Sequence, residues 1–298
     1  MSEPVVRQAV SGGIELGECP LWSELEQVLY WIDIDGHAVH RYDPSTGTDE
    51  ARPIGARPGC CALTDEVGRL LVATEHQLIW LDWGTGETEP WLALEDPSSG
   101  NRCNDGRVDP LGRLVVGTMW PDTREGKSSG SLYRIDGDGT VETLTTNLGV
   151  PNGLAFDADR NLMYFADTPT LTVLVADYDP DTGERHNVRP FLDYNQLPGK
   201  PDGACLDADG CYWSASIYAW SVIRVTPDGR IDRRVELPVE KPTMPAFGGA
   251  DLSTLYVTSI GSGESRTSAD GATHFMPGDL LAVDLGIQGR PEPSFRRG

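Results

Sequence analysis

The clearest pattern along the chain is a short apolar run that follows one polar residue and ends at a turn. In Pro151–Asp157 the polar residue is Asn152, and a strand-like run over 162–166 follows the turn. The same order of residues recurs over 104–109 and over 201–207. Short apolar runs bounded by turn residues are typical of buried β-strands, and no long stripe with helical spacing accompanies them. The pattern therefore predicts a chain built from repeated groups of strands.

Aligning the copies on these turns gives one register position that occurs six times along the chain. Its members are Glu18, Cys60, Asn104, Asn152, Asp202 and Met244, and successive members are 42, 44, 48, 50 and 42 residues apart. Six strand-rich copies of this length, each ending in a turn rich in Pro, Gly and Asp, predict an all-β, six-bladed β-propeller. The first strand of each blade lines the central channel in such a fold. The six aligned residues, here called the ring residues, are therefore expected to face one another at the channel mouth.

The ends of the chain and two polar insertions complete the predicted architecture. Val5–Val10 alternates weakly and is predicted to join the last blade beside the run 280–283, which ties the two ends together. The insertion 120–130 is predicted to be a loop, either a lid over the channel mouth or a surface loop without a role. A second polar insertion covers 261–278. No shift in composition marks a boundary, so residues 1–298 are predicted to form a single domain.

Composition limits the partners and the compartment. The formal net charge of −22 argues against nucleic acids and anionic membranes as partners. The six cysteines have neither zinc-site nor disulfide-scaffold spacing, which predicts free thiols in a reducing compartment. No apolar run approaches 18 residues, and the N-terminal residues lack the pattern of a secretory signal. These features predict a cytoplasmic protein.

Four of the ring residues carry oxygen donors, namely Glu18, Asn104, Asn152 and Asp202. Two carboxylates and two amides that converge in one place need a positive partner. A divalent cation would supply it, and ligation by oxygen alone favours Ca²⁺, Mg²⁺ or Mn²⁺, with Zn²⁺ and Fe²⁺ also compatible. The alternative is that these side chains only cap strand ends and solvate a water-filled channel.

A metal with open coordination positions would polarise a carbonyl group and help ionise a water molecule. Asp202 is then the natural general base, and the guanidinium of Arg102 is expected to bind substrate hydroxyls or a developing oxyanion, unless it serves a structural salt bridge. No histidine falls on the ring register, and no Gly-x-Ser-x-Gly or phosphate-binding glycine loop is present. A nucleophilic role for Cys60, Cys61 or Cys103 is disfavoured because none has a histidine partner in register.

An ordered set of motifs also marks a family resemblance from Gly17 to about Gly289. The motifs are Leu16-Gly17-Glu18-Cys19-Pro20-Leu21-Trp22, Arg102-Cys103-Asn104-Asp105-Gly106-Arg107-Val108-Asp109, Gly117-Thr118-Met119, Pro151-Asn152-Gly153-Leu154, Pro201-Asp202-Gly203 and Ala246-Phe247-Gly248-Gly249. This set resembles the senescence marker protein/gluconolactonase/regucalcin-like family, whose members are six-bladed propellers that open sugar lactones with the help of a metal. The resemblance implies metal ligation by Glu18, Asn152 and Asp202, and substrate binding by Arg102 and Asn104. An acidic residue that touches substrate often follows Gly-Thr-Met in the family, and Asp122 is the candidate here.

The resemblance implies a lactonase that converts an aldono-1,4- or 1,5-lactone, such as glucono-, xylono-, arabinono- or galactonolactone, to the aldonate. One divalent metal ion is the expected cofactor, and Ca²⁺, Zn²⁺, Mn²⁺, Mg²⁺ and Fe²⁺ are all compatible with the family. The expected partner is a small sugar lactone, with no nucleic acid or membrane, and the protein is expected to be a monomer or a weak homo-oligomer. Two alternatives stay open, which are a metal-dependent phosphotriesterase and a calcium-binding regulator without catalysis.

Overall fold

Each of the first five copies of the sequence repeat folds into one four-stranded antiparallel sheet, and the three strands of the sixth are joined by the N-terminal strand. The computed structural model describes residues 4–298, and within them six such sheets follow one another along the chain. Consecutive strands of a blade pair with each other, and several are joined by tight turns at the Pro, Gly and Asp residues that predicted them. The predicted all-β, six-bladed propeller is therefore confirmed.

The blades are numbered in chain order, and each begins with its innermost strand. Blade one contains β2 (Gly17–Ser23), β3 (Val28–Asp33), β4 (Ala38–Asp43) and β5 (Thr48–Pro53). Blade two contains β6 (Cys60–Leu63), β7 (Arg69–Ala73), β8 (Gln77–Asp82) and β9 (Thr88–Ala93). Blade three contains β10 (Arg102–Val108), β11 (Leu114–Met119), β12 (Gly130–Ile135) and β13 (Val141–Leu148).

The remaining blades follow the same plan. Blade four contains β14 (Pro151–Asp157), β15 (Leu162–Asp167), β16 (Thr172–Tyr178) and β17 (Arg185–Asp193). Blade five contains β18 (Lys200–Leu206), β19 (Tyr212–Ile217), β20 (Ser221–Val225) and β21 (Ile231–Glu236). Blade six contains β22 (Pro242–Gly248), β23 (Thr254–Ser259), β24 (Leu280–Asp284) and the N-terminal β1 (Val5–Val10).

The circle is closed by the strand from the N-terminal end of the chain. β1 pairs antiparallel with β24, with Val5 opposite Asp284 and Val6 opposite Val283, so the predicted joining of the two ends is confirmed. The six first strands contact one another in order, and β22 contacts β2 to complete the ring. These strands therefore line the central channel.

Aromatic side chains fill the wedges between neighbouring blades. Trp22 of blade one stacks on Tyr256 of blade six at 6.2 Å between ring centroids. Trp213 of blade five packs edge-on against Phe247 of blade six at 5.8 Å. Both tryptophans are almost fully buried, which confirms that the sequence uses these residues for packing between blades.

A fully buried aspartate at or just after the end of the innermost strand anchors each of blades three, four and five. Arg113 pairs with Asp109, Arg160 with Asp157 and Arg224 with Asp207, each within 2.7 Å. Buried carboxylates require such partners, because an unpaired charge in the interior is costly. These pairs lie at the end of the inner strands opposite the ring residues, which is here called the base of the channel.

The C-terminal segment 287–298 crosses this base. The fully buried Phe295 packs between Trp80 and Trp91 of blade two, and its backbone N–H donates to Leu63 O at 2.7 Å. Glu292 from the same segment pairs with Arg107 at 3.1 Å. The chain's own C-terminal segment therefore lies across the base of the channel.

The described helices are four short 3₁₀ turns in connecting segments. They are Pro97–Ser99, Thr123–Glu125, Thr168–Thr170 and Tyr194–Gln196. The insertion 120–130 contains the second of them and joins β11 to β12, as expected for a loop. Within residues 4–298 no helix combines the length and the apolar character that crossing a membrane requires.

Candidate active site at the channel mouth

All six ring residues lie near the beginning of the innermost strand of their blades, so their predicted equivalence is confirmed by the fold. In five of these strands the pairing with the next strand shifts register at the ring residue or beside it. Such bulges turn side chains away from the regular alternation and are frequent beside active sites. The exception is β6, whose pairing runs regularly from Cys60 to Leu63.

The amides of blades three and four meet directly. Asn104 Nδ2 donates to Asn152 Oδ1 at 3.2 Å and to Pro151 O at 3.0 Å. Asn152 Nδ2 donates to Thr168 Oγ1 at 2.9 Å, and that hydroxyl donates to Pro201 O at 2.8 Å in blade five. Because both amide nitrogens are engaged by protein groups, the orientation of Asn152 is fixed, and its carbonyl oxygen, which accepts one bond from Asn104, has a second lone pair for a ligand.

The two carboxylates of the ring lie close enough to influence each other. Glu18 is partly buried and Asp202 is buried. Burial raises the pKa of Glu18 well above its usual value, and the charges of Asp202 and Asp105 raise it further. The pKa of Asp202 is raised in the same direction, by burial and then by Asp105. A positive charge placed beside these two acids would favour their ionised forms.

An all-oxygen set with two carboxylates and an amide carbonyl fits a hard divalent cation. Within residues 4–298 no three His, Cys, Asp or Glu side chains are grouped closely enough to hold a metal by themselves. The candidate set contains only two such side chains, and its third member is the amide of Asn152. The fit therefore rests on the chemistry of the donors and on their shared position at the mouth.

Arg102 is buried and turned toward the ring. Its Nη1 donates to Cys103 O at 2.7 Å and to Asn104 Oδ1 at 3.0 Å. Burial lowers the pKa of its guanidinium, and the nearby charge of Asp35 opposes this effect. Arg102 and Asn104 therefore form one hydrogen-bonded unit beside the two carboxylates.

Asp122 lies in the loop between β11 and β12 and is engaged there. Its carboxylate accepts from Arg124 Nε at 2.8 Å and Nη2 at 2.7 Å, and it caps the short helix Thr123–Glu125. The hydrogen bonds from Arg124 lower the pKa of Asp122 to about 2. All the hydrogen bonds described for Asp122 stay inside the loop.

The two remaining ring residues fill space. Cys60 and Met244 are almost fully buried, and a Cβ on Gly106 would come within 2.4 Å of Cys60 Sγ. Burial raises the pKa of Cys60 well above its usual value and that of Cys103 to about 12. Neither thiol has the character of a nucleophile, which agrees with the expectation from sequence.

Two residues of the site were missed by the sequence reasoning. Thr168 links the blade-four amide to blade five, but it follows β15 and has no counterpart on the ring register. Asp105 is buried and its charge acts on Glu18 and Asp202, and its position next to Asn104 in the Arg102–Val108 strand was the only available signal.

Comparison of the sequence with known protein families identifies the family of this chain. The sequence profile described as "SMP-30/Gluconolactonase/LRE-like region" matches residues 16–261. The chain belongs to this family. The matched region contains all six ring residues, so the motifs on which the resemblance was based lie inside it.

Relatives in the SMP-30/gluconolactonase family share most of the chain. A protein named 6-deoxy-6-sulfogluconolactonase from Pseudomonas putida is 40% identical, with 94% of each chain covered. A pentonolactonase from Haloferax volcanii is 36% identical over 96% of this chain and 97% of its own. The crystal structure of a calcium-binding protein, regucalcin, from Agrobacterium tumefaciens superimposes with a TM-score of 0.88 at 28% identity, covering 99% of this chain and 100% of the other.

Proposed function

We propose that this protein is a metal-dependent lactonase that hydrolyses the lactone of a sugar acid to the open-chain aldonate. The observation that carries the proposal is the group of two carboxylates and two amides, from Glu18, Asn104, Asn152 and Asp202, at one end of the channel. Relatives at 36% and 40% identity that are named as lactonases support the reaction class.

Glu18, Asn152 and Asp202 would hold the metal ion. A divalent ion bound there supplies the Lewis acidity that polarises a lactone carbonyl and makes a bound water more acidic. Oxygen donors favour Ca²⁺, Mg²⁺ or Mn²⁺ over softer ions, and the calcium-binding relative supports this order. Zn²⁺ and Fe²⁺ remain compatible with carboxylate ligands and belong in the test.

Arg102 and Asn104 would hold the substrate. Arg102 Nη1 is held by the Asn104 carbonyl oxygen at 3.0 Å, so Asn104 fixes the guanidinium, whose other N–H groups would bind the oxygens of a lactone. The positive charge of Arg102 would also stabilise the oxyanion that forms when water adds to the carbonyl. Asp122 would reach substrate hydroxyls only after its ion pair with Arg124 opens.

Asp202 would direct the water. Its carboxylate accepts a proton as the water oxygen attacks the carbonyl carbon, and the acyl–oxygen bond of the ring then breaks. The proton returns to the ring oxygen, which leaves as a hydroxyl group of the product. Overall one lactone and one water give one aldonate and one proton, so acid production reports each turnover.

The first test is proton release in a weakly buffered indicator solution. Metal-stripped protein is given each of the five divalent ions in turn, with glucono-, xylono-, arabinono- and galactonolactone as substrates. The 6-sulfo derivative of gluconolactone joins the panel because of the relative named for it. Metal-dependent acid production above the spontaneous rate is the expected result. A folded, metal-binding protein that accelerates none of these reactions would refute the proposal.

Replacement of the base tests the mechanism. Asp202→Ala is expected to abolish turnover while the propeller remains folded, because general-base catalysis alone contributes about 10²–10⁴-fold and a metal ligand is lost as well. Asp181→Asn removes one charge from an exposed turn and serves as the matched control. Wild-type turnover by Asp202→Ala would contradict the assigned role.

The same preparation separates the two alternative functions. Faster hydrolysis of a fluorophosphate than of any lactone would indicate a phosphotriesterase. Tight Ca²⁺ binding without hydrolysis of either substrate class would indicate a calcium-binding regulator, an alternative that the similarity to the calcium-binding protein regucalcin supports.

A further inference from the structure

Asp105 is a buried acid whose two oxygens have different surroundings. It follows Asn104 on β10 and is 7% exposed. Its Oδ2 accepts the backbone N–H of Leu154 at 2.9 Å, on the neighbouring inner strand β14. Its Oδ1 is buried and has no hydrogen-bond partner in the part of the chain that the structure describes. One carboxylate oxygen therefore holds the strand that carries Asn152, and the other oxygen makes no hydrogen bond among the described residues.

The charges around Asp105 are arranged along the channel. Glu18 and Asp202 lie on the mouth side, and the negative charge of Asp105 raises the pKa of both. Arg107 lies on the base side, where its guanidinium donates to Leu154 O and Ala204 O. Arg107 also pairs with Glu292 at 3.1 Å, so its charge is shared with the C-terminal segment.

The balance of charge at the mouth is negative. The charge of Asp105 acts on both Glu18 and Asp202, and Arg107, the cation whose charge acts on Asp105, is also paired with Glu292. Buried charges without partners are costly, and metals are one of the usual solutions. If Asp105 served only as an acceptor for Leu154 N–H, a neutral asparagine would do the same work without the repulsion.

We propose that Asp105 is a positioning residue of the metal site, whose unpaired buried carboxylate oxygen supplies negative charge behind Glu18 and Asp202 and so sets the affinity for a hard divalent cation. The inference rests on the metal site of the proposed function, but not on the lactone chemistry. Asp105 is distinct from the three proposed ligands, because its Oδ2 is held by the backbone N–H of Leu154 at 2.9 Å. Its contribution is the field at the site and the placement of the strand behind Asn152.

Asp105→Asn tests the charge with little change of shape, because the amide oxygen keeps the bond from Leu154. Metal-stripped wild type and variant are titrated with Ca²⁺ and with Mn²⁺ by calorimetry, and their melting temperatures are measured without metal. The variant is expected to bind each ion at least about tenfold more weakly, which is a lower bound for the loss of one nearby buried charge at an effective dielectric constant of about 20. Its metal-free melting temperature should equal or exceed that of wild type, because repulsion is relieved.

These opposite signs distinguish a charge effect from simple damage to the fold. Asp181→Asn, an exposed change of the same net charge, should leave both readouts at wild-type values. Wild-type affinity in Asp105→Asn would overturn the proposal. A lower metal-free melting temperature, or failure to fold, would also overturn it, since either result would make Asp105 a structural residue. Neither cation affinity nor melting temperature depends on lactone turnover, so the outcome of this test is independent of whether the proposed lactonase activity is found.

Discussion

Gly153 directly follows Asn152, and its backbone conformation leaves no room for a side chain. Its φ is +63°, in the left-handed region. A Cβ there would lie 2.4 Å from the hydroxyl oxygen of Tyr212, which donates to Gly153 O at 2.8 Å. Gly153→Ala therefore meets two separate costs, one from the backbone and one from the buried hydroxyl of the next blade.

The magnitude follows from these two contributions. The left-handed conformation costs a residue with a Cβ about 1–2 kcal/mol. Displacing the buried Tyr212 hydroxyl from its acceptor adds about 1–3 kcal/mol. Gly153→Ala is thus expected to lower the free energy of unfolding by about 2–5 kcal/mol. Gly47→Ala is the matched control, because its φ is +72° and nothing lies within 4 Å of the new Cβ, so it should show only the backbone cost.

The assay is urea unfolding followed by tryptophan fluorescence, with a double-mutant cycle. In a Tyr212→Phe background the hydroxyl is absent, and Gly153→Ala should then cost no more than Gly47→Ala. Metal-free proteins are used so that altered cation binding does not enter the comparison. Equal costs for Gly153→Ala and Gly47→Ala in the wild-type background would refute the reasoning, since they would show that the strand can move away from Tyr212 freely.

Three further predictions concern other parts of the molecule. Phe295→Ala should destabilise the protein by about 3–5 kcal/mol in urea unfolding, because it empties a fully buried site between Trp80 and Trp91; a loss below about 1 kcal/mol would contradict this packing. Asp122, whose pKa is lowered to about 2, should keep its ion pair with Arg124 above pH 4 and lose the associated stabilisation only as pH falls toward 2, which an NMR titration of its carboxyl carbon checks. Cys103, with a pKa raised to about 12 by burial, should resist iodoacetamide at pH 8 in the folded protein and react in urea, as judged by mass spectrometry.

The blades and the ring could be predicted because turn chemistry repeats with them. Each copy places its apolar run between residues that fix turns. The copies can therefore be aligned on their turns even where the ring residues differ as much as Cys60 and Asp202. β3 begins with its apolar run at Val28 and ends at Asp33, one residue after that run, and the closing partner of β1 follows from the need to pair both ends of the circle. Local sequence and global fold agree in these elements, which is why the fold could be derived from one sequence.

Contacts made through bulges and long separations could not be predicted in this way. Regular alternation would put Asn104 and Asp105 on opposite faces of their strand, yet the register shift between Cys103 and Gly106 leaves both buried beside blade four. Phe295 stands alone in a polar C-terminal stretch, and nothing local indicates that Trp80 and Trp91 receive it. Asp122 lies where the family often has an acidic residue after Gly-Thr-Met, but here it is paired with Arg124 two residues away. The pattern of strands along the sequence does not reveal this local pair.

Buried carboxylates have arginine partners at the base of the channel but not at its mouth, and this contrast is the strongest argument for a binding site at the mouth. At the base, Asp109, Asp157 and Asp207 are fully buried and each is paired with an arginine within 2.7 Å. At the mouth, Glu18 and Asp202 are left without such an arginine, and the charge of one acid raises the pKa of the other. At the base, where the buried aspartates only support the fold, each one has an arginine partner. The acids at the mouth lack such a partner and therefore lower the stability of the fold, so a role other than stability is needed to explain them. A cation bound there would relieve the repulsion between Glu18 and Asp202. The free energy of that relief would add to the free energy of cation binding.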